Sequence, residues 1–300
     1  MRAVIAADLG GTFLRTATVT AERIVLHEAI RRVEVRRGNA AVAAFLRVAV
    51  EEAYKRAGEA SLDPAAVGLA VPGLVDRAAG IMRYAGNLDV HDLPVVAAVR
   101  AVAPLPLVIE NDVRAAAWGE WMWGAGQGAG HMAYLSVGTG IAAALVSGGH
   151  LYYGAEDAAG ELGHAPVIPD GDLCRCGQRG CLETVAAGWG IARRAGMAGA
   201  QEVFEAASAG NASAGAVIEE AGRALSRAAL ILVRLWDPDR LVLGGGLFHQ
   251  GSALAAAVHE SVTRSALRGA VSPSVFTAAY AGRSGLMGAA CLAFAAQATV

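Results

Sequence analysis

Two segments of this chain repeat one pattern: an apolar strand, a turn of glycine and threonine, and a second strand. In the first, Val4 to Ala7 reads as a short strand, Asp8-Leu9-Gly10-Gly11-Thr12 as a tight turn, and Leu14 to Thr20 as the returning strand. In the second, Met132 to Val137 leads through Gly138-Thr139-Gly140 into Ile141 to Val146. One glycine hairpin is commonplace. Two, each opening a half of a 300-residue chain, point to an internal duplication with a nucleotide cleft between the halves. That length fits two domains of ordinary size.

The remaining pattern supports an α/β reading. Ile24 to Ile30 reads as a third strand. Asn39 is placed to cap a helix from Ala40 to about Arg56, with Val42, Phe45, Leu46 and Ala49 on one face. Val67 to Val71 is a buried strand ended by Pro72-Gly73, and a helix follows near Pro94 to Val102. Leu107 to Ile109 is a strand running into Glu110-Asn111-Asp112, directly before a helix from Val113 to about Trp123. Four glycines between Gly124 and Gly130 make a connector. Beyond Cys181 the chain is mostly helical, with a long helix from Ala212 to Trp236 that Pro238 ends. Arg240 to Leu243 is a strand entering Gly244-Gly245-Gly246.

Composition excludes several classes. A net charge of −2 with 17% charged residues does not supply the basic face of a general nucleic-acid binder. The amino terminus lacks a signal-peptide core, since Asp8 interrupts its short apolar run. No stretch reads as a membrane span; Ser284 to Val300 lacks charges but reads as a buried helix. The expected compartment is the cytoplasm. Three of the four cysteines are bunched at 174, 176 and 181, which suits a metal site better than a disulfide framework.

Lys55 is the only lysine, so no Walker-type phosphate loop exists here. Phosphates would have to be held by backbone amides, arginines and metal. The turn at residues 8 to 12 allows that, because glycines let amides approach an anion closely, and Asp8 could hold magnesium directly or through water. An ordinary hairpin turn is the alternative. Gly138-Thr139-Gly140 is a second candidate phosphate turn, and Gly244-Gly245-Gly246 could pass close to a base or ribose.

Asn111-Asp112 reads two ways. Both residue types are preferred helix caps. The local sequence favours the cap; the functional reading is that Asp112 accepts a hydroxyl proton during phosphoryl transfer. His164, Cys174, Cys176 and Cys181 form H-x9-C-x-C-x4-C, a Cys3His set suited to structural zinc. Glu161 and Glu183 flank it and could accept hydrogen bonds from sugar hydroxyls. Cys291 reads as a small core residue.

Together these motifs resemble the ROK family of sugar kinases and sugar-responsive repressors, over essentially the whole chain. The resemblance rests on Asp8 to Thr12, Val71-Pro72-Gly73-Leu74-Val75-Asp76, Glu110-Asn111-Asp112, Gly138-Thr139-Gly140, Gly160-Glu161-Leu162-Gly163-His164, the run from Cys174 to Glu183, and Gly244-Gly245-Gly246. It implies an actin-like (ribonuclease H-like) ATPase fold, two domains around a central cleft. The expected division is 1–112 and 113–284, with a helix over 285–300 packing back on the first.

The resemblance also implies roles. Asp112 matches the catalytic base. Gly73, Asn87, Asn111, Asp112, Glu161, His164 and Glu183 match the sugar site, with one His164 nitrogen on zinc and the other toward sugar. Asp8, Gly10, Gly11, Thr12, Gly138, Thr139, Gly140 and Gly244 to Gly246 match the nucleotide site. Family repressors carry a helix-turn-helix region ahead of the first turn; only seven residues precede Asp8, so none is expected. Family kinases often show an aromatic soon after an Asn-Leu pair, where this chain has Asn87-Leu88-Asp89-Val90-His91-Asp92. The expected function is ATP-dependent phosphorylation of a free hexose, glucose at its 6-hydroxyl, with magnesium and structural zinc. Alternatives are another hexose or an N-acetylhexosamine, a polyphosphate donor, or a sugar sensor without turnover. Family habit implies a dimer or tetramer.

Overall fold

The structure is a computed structural model in which residues 2–33, 37–250, 252–265 and 271–297 are described. The chain packs as two compact units, Met1–Met122 with Ala155–Asp157 and Arg283–Val300, and Trp123–Gly154 with Ala158–Gly282.

The first unit runs β1 (Arg2–Leu9), β2 (Phe13–Thr20), β3 (Val25–Arg32), α1 (Asn39–Glu59), β4 (Asp63–Val71), β5 (Leu74–Asp76), β6 (Ile81–Ala85), β7 (Val90–Leu93), α2 (Val95–Arg100), β8 (Leu107–Asn111) and α3 (Asp112–Trp123). Its main sheet has the order β3-β2-β1-β4-β8. β1, β4 and β8 are parallel, whereas β2 and β3 are antiparallel additions. The central strands are apolar throughout because both faces are covered. Ile5, Ala7, Leu9, Val67, Leu69 and Val71 join Val42, Leu46 and Val50 of α1 in one core.

The second unit runs β9 (His131–Val137), β10 (Ile141–Ser147), β11 (His150–Leu151), α4 (Glu183–Ala186), α5 (Gly188–Ala195), α6 (Ala200–Ser208), α7 (Ala212–Trp236), β12 (Arg240–Gly244), α8 (Gly246–Gln250), α9 (Ser252–Arg264) and β13 (Ser274–Thr277). Its sheet order, β11-β10-β9-β12-β13, repeats the first. Again the third, fourth and fifth strands in that order, β9, β12 and β13, are parallel, and β10 and β11 are antiparallel additions. The repeat seen in sequence is thus a repeat of topology, with a glycine turn joining the first two strands each time. Each sheet has the ribonuclease H-like order, and the tandem is the actin-like kinase fold. Helix α7 has the bounds read from sequence. Asn211 caps it by accepting the Ala214 amide at 3.1 Å, and Asp237 ends it in the left-handed region before Pro238.

The chain returns to the first unit as α10 (Ser284–Gln297), on the sheet face opposite α1. Gly68 lies between Val67 and Leu69, so it faces the other way, and a side chain there would run into the Ala289 carbonyl. Positions 298–300 of the expected terminal helix lie outside the described residues. Helix α3 also packs on α10: a β-carbon on Gly119 would sit 2.7 Å from the Gly288 nitrogen, and the Ser284 hydroxyl donates to buried Glu120 at 2.7 Å. The first unit therefore extends through Met122, one helix beyond position 112.

Three features escape the sequence pattern. β5, β6 and β7 form a separate antiparallel sheet of short, mixed strands. β13 is an edge strand with no buried position. Asn39 does not cap α1, since Gly38 holds that place. Instead its side chain donates to the His91 carbonyl at 2.6 Å and accepts the His91 amide at 3.0 Å. Among the described residues, no helix is long and apolar enough to cross a membrane.

Candidate functional site

In the first unit the parallel strands end side by side. Asp8 pairs in register with Ala70, and Ala70 with Glu110. The turn after β1, Pro72-Gly73 after β4 and Asn111-Asp112 after β8 therefore share the carboxyl edge, where α/β sheets bind ligands. The first turn closes with the Gly10 amide donating to the Phe13 carbonyl at 2.9 Å. Gly11 faces Asn87: a β-carbon there would lie 3.0 Å from the Asn87 amide nitrogen. The hairpin between β6 and β7 thus delivers Asn87 to the turn. Thr12 accepts the Val33 amide through its carbonyl at 2.8 Å.

Asp8 sits under the first turn of α10, close enough that a side chain on Gly285 would meet its carboxylate at 2.6 Å. Burial pushes its pKa up to about 6, and Arg15 across the hairpin offsets only part of that.

The cap question at Asn111-Asp112 has a definite geometry. Asn111 is the cap, its Oδ1 accepting the amides of Val113 at 3.0 Å and Arg114 at 3.1 Å. Its Nδ2 donates to the Gly73 carbonyl at 3.0 Å. Gly73 itself has φ +83°, and a side chain there would strike the Tyr84 carbonyl. Asn111 is therefore largely committed to holding backbone. Asp112 starts the helix half-buried, with Oδ1 on the Val113 amide at 3.0 Å.

Flanking Asp112 is a buried network that the motifs did not suggest. Arg114 Nε donates to Glu110 Oε1 at 2.8 Å, with both side chains under 5% exposed. Arg114 Nη1 also donates to the Asp157 carbonyl at 2.8 Å, which keeps residues 155–157 with this unit. Arg77 approaches Glu110 at 3.8 Å and Asp157 at 3.5 Å. The i, i+4 spacing of Glu110 and Arg114 was the available signal.

The second unit gathers its candidates more tightly. Glu183 Oε1 accepts the Ile141 amide at 2.7 Å, immediately after Gly138-Thr139-Gly140. The Gly188 amide donates to the Gly138 carbonyl at 2.8 Å. Gly244-Gly245-Gly246 runs alongside: a β-carbon on Gly138 would lie 3.8 Å from the Gly246 nitrogen, and one on Gly244 would strike the Tyr134 hydroxyl. Gly245 has φ +87° and lies against the Val137 backbone. The Thr139 turn and the triple glycine are therefore neighbours.

Glu161 and His164 ride on β10. The Ala143 amide donates to the Gly160 carbonyl at 2.8 Å, and Gly163 packs on the Ile141 carbonyl. His164 Nδ1 lies 3.7 Å from Cys174 Sγ, while Nε2 lies 3.9 Å from Glu161 Oε2. One ring nitrogen thus faces the cysteines and the other the glutamate.

Cys176 and Cys181 sulfurs are 3.6 Å apart, and all four potential ligand atoms fall within 4.8 Å of one another. Zinc at ~2.3 Å from tetrahedral thiolates holds sulfurs about 3.8 Å apart, so the donor set and spacing fit it. Burial pushes the Cys181 thiol up to about 12, so ion binding must displace that proton. Cys291 is buried in α10, among the core residues of that helix.

The chain as a whole is similar to known proteins. Glucokinase of Halalkalibacterium halodurans is 31% identical over 83% of this chain and 82% of that protein. Glucokinase of Streptomyces coelicolor is 31% identical over 98% of each. The crystal structure of a ROK family glucokinase from Streptomyces griseus, in complex with glucose and AMPPNP, superposes with a TM-score of 0.86 at 29% identity, covering 98% of this chain and 99% of that one. Residues 4–296 match the ROK family model, and the chain belongs to the ROK family.

Proposed function

We propose that the protein transfers the γ-phosphoryl group of ATP to the 6-hydroxyl of free glucose, releasing ADP and glucose 6-phosphate. The observation that best supports this is the Glu183 carboxylate on the Ile141 amide. It joins an acceptor for sugar hydroxyls to a turn suited to phosphate oxygens. The glucokinases similar to this chain, one holding glucose and AMPPNP, support the same substrates.

We assign Asp112 the hydroxyl proton, accepted as the oxygen attacks phosphorus and the bond to ADP breaks. Asn111 holds Asp112 at the helix start. Asn87, Glu161, His164 and Glu183 are assigned to the sugar hydroxyls, and the turns at 10–12, 138–140 and 244–246 to the nucleotide. Asp8 suits a magnesium ion, because its buried charge has Arg15 as only a partial counterweight. When bound, magnesium would neutralise charge on the transferring phosphates. Zinc, held by His164, Cys174, Cys176 and Cys181, would fix the loop that carries Glu183. A homo-oligomer and a cytoplasmic location, where thiols stay reduced, complete the proposal.

The test is ADP release across a panel of hexoses and hexosamines, with ATP and polyphosphate as donors. Glucose with ATP is expected to give the highest kcat/KM. Preference for an N-acetylhexosamine, or no turnover of any sugar, would overturn the assignment.

A further inference from the structure

Trp189 belongs to none of the motifs, yet it touches the run from Cys174 to Glu183 at both ends, and its neighbour Gly188 reaches the turn at Gly138. Its indole N–H donates to Glu183 Oε2 at 3.2 Å, while Oε1 of the same carboxylate holds the Ile141 amide. Its backbone neighbour Gly188 donates to the Gly138 carbonyl. Arg175, between two cysteines of the cluster, stacks on the indole at 4.7 Å from the ring centre. Arg193, paired with Asp172 at 2.8 Å, lies 5.5 Å from the same ring. An indole nitrogen can only donate, so a half-buried tryptophan beside a carboxylate fixes which way that carboxylate points.

We infer that Trp189 is a positioning residue, which orients Glu183 toward the sugar and locks it to the nucleotide turn. This rests on the reading of Glu183 as a sugar contact. With Trp189 absent, Oε2 has lost the donor that sets its direction. The carboxylate would then rotate about its bond to Ile141 and meet the sugar hydroxyl in many orientations. Phenylalanine keeps the ring, and thus the cation stacking, but removes the N–H.

The experiment is a double-mutant cycle on the intact enzyme, with Trp189→Phe, Glu183→Gln and the pair. The readouts are KM for glucose, kcat, glucose affinity by calorimetry and Tm. Trp189→Phe is expected to raise glucose KM and Kd roughly tenfold, the scale of one hydrogen bond to a charged group, with Tm nearly unchanged. In the Glu183→Gln background the same change should add less than about twofold. Should the phenylalanine variant fold poorly, Trp189→His, which retains a ring N–H, is expected to keep glucose affinity closer to the parent than Trp189→Leu does. A glucose KM within twofold of the parent for Trp189→Phe, or additive effects in the pair, overturns the inference and leaves Glu183 in its role. If Glu183→Gln alone leaves glucose affinity unchanged, both assignments fall.

Discussion

A side chain on Gly140 would begin 2.6 Å from Oε1 of Glu183. The end of the second glycine turn is thus closed by a residue assigned to sugar rather than to nucleotide. Gly140→Val should therefore damage both substrates, by displacing the carboxylate as well as crowding the turn. KM for glucose and for ATP are each expected to rise by on the order of tenfold, the scale of one lost charge-assisted hydrogen bond. In the first unit the corresponding neighbour of Gly11 is the exposed amide of Asn87, at 3.0 Å. That side chain can move, so Gly11→Ala is expected to be milder than Gly140→Ala. Steady-state kinetics of the two alanine variants check the order, and the reverse order would refute the argument.

The two residues at the head of α3 divide the work that either could do alone. Asn111 accepts both capping amides and Asp112 shares only that of Val113, so the cap does not depend on Asp112. Asp112→Asn is expected to lower kcat by a factor on the order of 10²–10⁴ and leave Tm and glucose affinity nearly unchanged. Asn111→Ala should instead cost about 1 kcal/mol of stability and free the Gly73 turn. Turnover within a few-fold of the parent in Asp112→Asn would remove Asp112 from the mechanism.

Much of this was legible in the residues. The tandem fold showed as two glycine hairpins, because each returns an apolar strand to the centre of a buried sheet. The cysteine cluster showed because cysteine is otherwise nearly absent. Three things were hidden for physical reasons. The small sheet of β5 to β7 has strands too short for a period of two to emerge. Asn39 carries a capping residue's chemistry but spends it on a long-range contact with His91. Trp189 is one of five tryptophans, and nothing local separates a positioning indole from a core one.

Asp8 gives the ligand-free enzyme a pH signature. Its folded pKa is raised from 3.8 to about 6, so the folded state binds this proton more tightly than the unfolded chain does. The resulting stabilisation is fully present below about 3.8 and is lost as pH rises through about 6. Asp8→Asn stays neutral throughout. Its Tm should match the parent in acid and exceed it above pH about 6, while turnover with magnesium and ATP collapses. Melting curves across that range decide the matter; parallel curves for the two proteins would show that the Asp8 charge carries no such cost.

The cysteine cluster predicts one zinc per chain. Cys176 is its exposed member, so Cys176→Ser removes a ligand with little loss of packing. Elemental analysis should find the metal absent in that variant, and glucose affinity should fall at least tenfold, as is usual when a site's supporting shell is lost. The second unit has its own core from Leu135 and Val137 to Leu225 and Val258, so circular dichroism should change little. Parent protein purified without chelator and free of zinc would refute the site.

The buried pair Glu110–Arg114 brackets Asp112, and its two members should behave very differently alone and together. Arg114→Met leaves the Glu110 carboxylate buried, with Arg77 at 3.8 Å as a weaker neighbour. Removing one partner of a buried pair costs about 3–5 kcal/mol, mostly as the desolvated charge left behind. The partial cover from Arg77 argues for the lower end. Adding Glu110→Gln removes that charge while keeping an oxygen for the Asn111 amide, which Glu110 Oε1 accepts at 2.7 Å. The double variant should therefore melt well above Arg114→Met. It should still lack the Arg114 bond to the Asp157 carbonyl, so its kcat is expected to stay below the parent's even where Tm recovers. Melting curves and kcat for the two single variants and the pair would check this. A double variant no more stable than Arg114→Met would mean that packing, and not the uncompensated carboxylate, sets the cost.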